Sequence, residues 1–209
     1  MAEDSPPIVT KLDGAIAIIR FNRPAQRNPL SISTLHDLES TLLELMPRDD
    51  VKALIFTGTA DVFASGANIR ELAQLDSISA LQFSQLGQRV FQRIADAQQT
   101  TIAAINGYCM GGALDLALAC DVRVASIDAI FAHPGAQLGI ITGWGGTQRL
   151  PRIVGRTHAL ELFATAKRVG SQEALFMGLV SKVEDPVLES AIAAAQPFRQ
   201  LCLTPVLTM

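Results

Sequence analysis

Residues 100–121 read TTIAAINGYCMGGALDLALACD. TTIAAI is a short apolar run, and Asn106-Gly107 ends it, so it reads as a buried strand. Gly111 and Gly112 then open a helix that runs through about Ala119. Leu114, Leu116 and Leu118 mark that helix as well buried, yet Asp115 sits among them. An acid in a helix's first turn is stabilised by the helix dipole. An idle acid inside an apolar helix is costly. Asp115 therefore stands as a candidate for chemistry beside the plainer dipole reading.

Outward from this stretch the chain alternates. IVTKLDGAIAIIRFNRP (residues 8–24) reads as two strands joined at Asp13-Gly14, a hairpin signal. SISTLHDLESTLLELM (31–46) is amphipathic at helical spacing, with Ser31 or Ser33 as N-cap. VKALIFTG (51–58) is a buried strand ending in Gly58. ANIRELAQL starts a helix, and ISALQFSQLGQRVFQRIADA is a longer one. DVRVAS and AIFAHPG read as strands. GGTQRLPRIVG is a turn and helix limited by Pro151. THALELFATA and SQEALFMG follow as helices, the second capped by Ser171 and stopped by Gly178. LVSKVED is a last strand, and the remainder is helical until Pro197. Strands alternating with helices behind a front hairpin predict an α/β fold with mainly parallel pairing.

Two strand-to-helix junctions stand out, IFTGTADVFASGANIREL and IAAINGYCMGGALDLAL. Small residues there let backbone N–H groups approach a ligand, and a helix's first turn supplies free donors. Two such donors could grip one developing oxyanion. The same glycines also fit tight turns and close helix–strand packing. Other motifs fail: there is no G-x-x-x-x-G-K-[ST], no G-x-G-x-x-G and no G-x-S-x-G, so Ser65 is no nucleophile elbow. His36, His133 and His158 lack metal spacing and read as structural or exposed.

The chain has 209 residues, 49% hydrophobic and 18% charged, enough for one well-buried core. A net charge of -3 gives no electrostatic reason to expect nucleic acid. Arg149, Arg152, Arg156, Lys167 and Arg168 gather positive charge, as a solvated helical face or as a site for an anion. No apolar run is long enough to span a bilayer, and MAEDSPPIV lacks the order of a signal peptide. The scattered Cys109, Cys120 and Cys202 read as reduced thiols of a cytoplasmic protein. No metal site and no membrane partner are expected.

IRFNRPAQRNPLS, VKALIFTGTADVFASGANIREL, TTIAAINGYCMGGALDLALACDVRVAS and AIFAHPGAQLGIITGWGGTQRLPRIVG, continued by SQEALFMGLVSKV, together resemble the enoyl-CoA hydratase/isomerase (crotonase) family over roughly residues 8 to 184. The resemblance implies a spiral of β-β-α units, assembled as a homotrimer or a dimer of trimers, acting on acyl-CoA thioesters. Its implied domain plan is a core over residues 1–185 and a short helical tail over 186–209, a C-terminal region shortened against the family.

By motif, the backbone N–H groups of Ala67 and Gly112 would polarise the thioester carbonyl. Ser65, Gly66, Asn68 and Ile69 would lie along the CoA, with Gly111 and Gly135 also against the substrate. Arg27 would reach a phosphate or serve the surface. Hydratases of the family use two glutamates; Asp115 takes the place of one, and Gly135 stands where the other would be. An aspartate used by the family's dehalogenases would fall at Gly143. The resemblance thus implies hydration of 2-enoyl-CoA through an oxyanion-stabilised enolate, with no cofactor beyond the substrate's CoA. Isomerisation, thioester hydrolysis and acyl-CoA binding without turnover stay open because of Gly135.

Overall fold

The computed structural model describes residues 5–199. It opens with the hairpin of β1 (Ile8–Asp13) and β2 (Ile16–Phe21), paired from Asp13↔Ile16 to Ile8↔Phe21. After a 3-10 turn at Pro24–Gln26 come β3 (Pro29–Leu30) and α1 (Ile32–Leu45). Ser31 caps α1, its Oγ accepting from Thr34 N at 3.1 Å.

The chain then repeats one unit: a strand in a large sheet, a strand in a small sheet, and a helix. The first unit is β4 (Ala53–Thr57), β5 (Val62–Ala64), the short β6 (Gly66–Ala67), the single turn α2 (Ile69–Leu72) and α3 (Ser77–Ala95). The second is β7 (Thr100–Ile105), β8 (Tyr108–Met110) and α4 (Gly112–Ala119). The third is β9 (Val122–Ala125), β10 (Ile130–Ala132) and α5 (Gly146–Thr165). β11 (Val169–Gly170), α6 (Ser171–Phe176), β12 (Lys182–Val183) and α7 (Val187–Ala195) follow, and a 3-10 turn at Gln196–Arg199 closes the described chain.

The large sheet runs β1-β2-β4-β7-β9-β12, the small one β11-β10-β8-β5, and β3 pairs with β6. Apart from the antiparallel β1–β2 and β10–β11 pairs, the strand pairings are parallel. This is the expected spiral of β-β-α units. Ile16, Ile18 and Ile55 face a cluster with Val187, Ala191 and Ala195 of α7, while Ala17, Ile19, Leu54 and Phe56 face the main core. A strand covered on both faces reads as an unbroken apolar run, as IAII and ALIF do.

Three expectations change. Helix α5 does not stop at Pro151: the proline removes one backbone donor, but the break comes at Gly155, with φ 79° and ψ 161°. Ser171 is not the cap of α6. Gly170 holds that place, and Ser171 Oγ donates instead to Ile127 O at 2.6 Å. Strands β3, β5, β6, β8 and β11 were not foreseen, each being two or three residues long. Cys109 and Cys120 are buried free thiols, and burial pushes the Cys120 thiol up to about 12. Cys202 lies outside the described residues. Among the described residues no helix is long and apolar enough to cross a membrane.

Candidate active site

The two glycine-bearing junctions meet. Gly66 has φ +84°, and a Cβ built there would stand 2.5 Å from Met110 O and 2.9 Å from Gly112 N. Only glycine fits both that backbone conformation and that approach. Asn28 anchors the first junction from below. Its Nδ2 donates to Val62 O (3.1 Å) and Phe63 O (3.2 Å), and its own carbonyl accepts from Ser65 N at 3.3 Å. At the second junction Gly111 N donates to Ala132 O at 2.8 Å, which lays the end of β10 beside the start of α4. As the first residue of α4, Gly112 carries an amide with no partner inside the helix.

Between the junctions opens a cavity of about 330 Å³. Ser65, Ala67 and Ile69 line it together with Gly111, Gly112 and Gly135. Leu72, Leu75 and Phe83 make an apolar flank with Trp144 and Phe163. Trp144 is held edge-on by Phe83 and Phe91, with ring centroids 5.0 and 5.5 Å away. It also fills the space where Cβ atoms on Gly87 and Gly112 would be, 2.3 Å from each.

The remaining expected residues stand around this cavity. Gly66 is buried behind it. Asn68 caps α2, its Oδ1 accepting from Arg70 N at 3.1 Å and its Nδ2 donating to Glu71 Oε1 at 3.2 Å. Arg27 is exposed, with its guanidinium carbon 4.7 Å from the centre of the Tyr108 ring. Lys167, from the basic segment, pairs with Glu161 and Glu173 at 3.2 and 2.6 Å.

Asp115 is fully buried and does not line the cavity. It stands one side chain behind the wall and touches it at two points. Thr142 Oγ1 donates to its Oδ2, and His133 Nε2 lies 3.5 Å from its Oδ1. Both Thr142 and His133 face the cavity. Burial pushes the Asp115 carboxyl up to about 7, partly opposed by the Thr142 hydroxyl, the N–H groups of Trp144 and Gly146, and the charge of Arg149. Burial pushes the His133 imidazole down to about 4. The sequence gives Thr142 no signal and lets His133 read as structural or exposed. The one available signal was that His133 precedes the Pro-Gly pair where the family carries its second acid.

Two small-residue junctions, one of them opening a helix, thus meet at a cavity with an apolar flank on a β-β-α spiral. The model of the enoyl-CoA hydratase/isomerase family matches residues 11–202, and the chain belongs to that family. It is 38% identical over 180 residues to the short-chain-enoyl-CoA hydratase of Clostridium acetobutylicum, covering 86% of this chain and 69% of that one. It is 39% identical over 180 residues to the crotonyl-CoA hydratase of Syntrophomonas wolfei, with the same coverage. Among solved structures it resembles DspI of Pseudomonas aeruginosa at TM-score 0.90 and 33% identity, covering 95% of this chain and 82% of that one. An enoyl-CoA hydratase from Bacillus anthracis matches at TM-score 0.89 and 33% identity, over 92% and 76%.

Proposed function

We propose that this protein hydrates 2-enoyl-CoA thioesters. The observation that carries the reading is the meeting of Ala67 and Gly112 at one cavity, supported by relatives named for that reaction. The thioester carbonyl oxygen sits between the two backbone N–H groups. As water adds to the β-carbon, negative charge moves onto that oxygen. Each donor aimed at it is worth on the order of 3 kcal/mol in the transition state. The apolar flank of Leu72, Leu75 and Phe83 takes the acyl chain, and Ser65 to Ile69 run along the CoA. Asp115 supplies the retained carboxylate. The reaction draws on no cofactor beyond the substrate's own CoA.

A second reading, acyl-CoA binding without turnover, draws on one observation: among the described residues that line the cavity none is a carboxylate. One assay separates the two. Wild-type protein is mixed with crotonyl-CoA and the loss of enoyl-thioester absorbance is followed, beside titration with butyryl-CoA in a calorimeter. Turnover supports hydration. Binding with no turnover favours the second reading, and neither result leaves a likeness of fold alone. Trimeric assembly and a cytoplasmic location go with the first reading; light scattering on the purified protein tests the assembly.

A further inference from the structure

Hydration needs a group that meets water and the α-carbon, and Asp115 stands behind the wall. Among the described residues that line the cavity, His133 is the only one with a side chain that titrates between acid and neutral pH. Three features place it. It follows β10, which pairs in register with β8 through Ala132↔Met110. It lies against Phe163 with ring centroids 4.9 Å apart. Its Nε2 is sealed from solvent and faces Asp115 Oδ1, which is also sealed, and neither atom has a hydrogen-bond partner within the described residues. Two orphaned buried polar atoms 3.5 Å apart form a pair that one proton completes.

The geometry points to His133 as the catalytic acid/base of this cavity, with Asp115 as the residue that positions it. The inference rests on the reading of the site as one that forms an enolate from an acyl-CoA thioester. With the proton on Nε2, the atom that faces Asp115 Oδ1 at 3.5 Å, the lone pair of Nδ1 is the one left to accept a proton. Nδ1 takes a proton from water as the water oxygen bonds to the β-carbon. The π pair of the double bond shifts to join the α-carbon and the carbonyl carbon, and the carbonyl π pair moves onto the thioester oxygen, between the Ala67 and Gly112 amides. The enolate then collapses as Nδ1 returns the proton to the α-carbon. One O–H bond and the C=C π bond break, one C–O and one C–H bond form, and His133 ends as it began. Asp115 holds the tautomer and stabilises the transient imidazolium, the division of labour known from Asp–His pairs in hydrolases. His133 thereby fills the role left vacant at Gly135, from two residues away on the same loop.

The test compares wild type, His133→Gln, Asp115→Asn and the double variant in three measurements. These are hydration of crotonyl-CoA, exchange of the α-protons of butyryl-CoA in D2O by mass spectrometry, and butyryl-CoA binding by calorimetry. In H133Q, kcat and exchange rate fall by about 100-fold or more, while KM and Kd stay within about threefold. D115N lowers both rates by about 10-fold or more, and the double variant is no slower than H133Q within about threefold, since the two act as one unit. H133Q rates within about threefold of wild type in both reactions overturn the proposal. Should H133Q fail to fold by circular dichroism, His133→Asn takes its place under the same criteria. Wild type that exchanges α-protons without hydrating overturns hydration and keeps His133. Wild type that binds butyryl-CoA but does neither overturns His133 and keeps the binding site. Wild type that binds no thioester overturns both.

Discussion

His133 Nε2 and Asp115 Oδ1 face each other at 3.5 Å inside the protein, each without a hydrogen-bond partner among the described residues. The pair makes stability depend on pH in two opposed ways. The Asp115 carboxyl is raised from 3.8 to about 7. Between those values the folded state holds a proton that the unfolded state has lost, so its contribution falls as pH rises. The His133 imidazole is lowered from 6.5 to about 4. Between those values the unfolded state holds the extra proton, so its contribution rises with pH. Each limb has a limiting slope of about 1.4 kcal/mol per pH unit, and between about pH 4 and 6.5 the two cancel. Relative to wild type, Asp115→Asn leaves the rising limb, and His133→Gln leaves the falling one. Urea unfolding from pH 4 to 7.5 reads both. Two difference curves of the same sign would overturn the opposed shifts of the two groups.

Trp144 is clasped by two glycines on different helices, and this yields a packing prediction. A methyl group at Gly87 or Gly112 would meet the indole at 2.3 Å, in a core without room to relax. Gly87→Ala costs about 1–3 kcal/mol by overpacking. Trp144→Leu in that background recovers part of the loss, so the double variant is more stable than the sum of the single effects. Denaturant unfolding of the four proteins measures the coupling. Additive values would mean that the indole and Gly87 do not touch.

The same contacts explain what the sequence could disclose. TTIAAI and ALIFT announce themselves because both faces of the large sheet are covered, and ISTLHDLESTLLEL because a helix repeats its buried face every 3.6 residues. GA at 66–67 and YCM at 108–110 are too short to carry any period, though they line up the site. The family motifs point to Ala67 and Gly112, which come to one cavity, and to Asp115, which stands behind its wall. His133 and Thr142 escaped because their value lies in contacts with Asp115, 18 and 27 residues away in sequence and made by a loop with no repeating pattern. Pro151 misled because a proline inside a helix removes one hydrogen bond, whereas Gly155 leaves helical angles altogether.

Restoring the family's second acid by Gly135→Glu is expected to fail. A Cβ at this position would stand 2.5 Å from Ile140 O, a backbone atom that cannot swing aside. The loop is closed there by Ile140 N donating to Gly135 O at 3.0 Å. The variant loses about 1–3 kcal/mol of stability from the forced loop shift, and its kcat on crotonyl-CoA does not rise. Thermal unfolding and initial rates check both. A faster enzyme of unchanged stability would show that the loop yields freely and that a carboxylate was the missing part.

Arg27 gives the last prediction. Its guanidinium is exposed and stacked over Tyr108, at the start of the strand that leads to Gly111. Stacking fixes the planar head while leaving its N–H edges open to an anion. If a CoA phosphate takes that edge, Arg27→Ala raises KM for crotonyl-CoA by about 3- to 10-fold, the scale of roughly 1 kcal/mol for an exposed charge pair. kcat stays near the wild-type value, because the contact is equally good in ground and transition states. Arg27→Lys keeps the charge but not the planar stack, and falls between the two. The defect shrinks as salt is raised from 50 to 500 mM, since the Debye length drops from well over 10 Å to a few ångström across about that range. A KM that is unchanged by R27A at low salt assigns the residue to the surface instead.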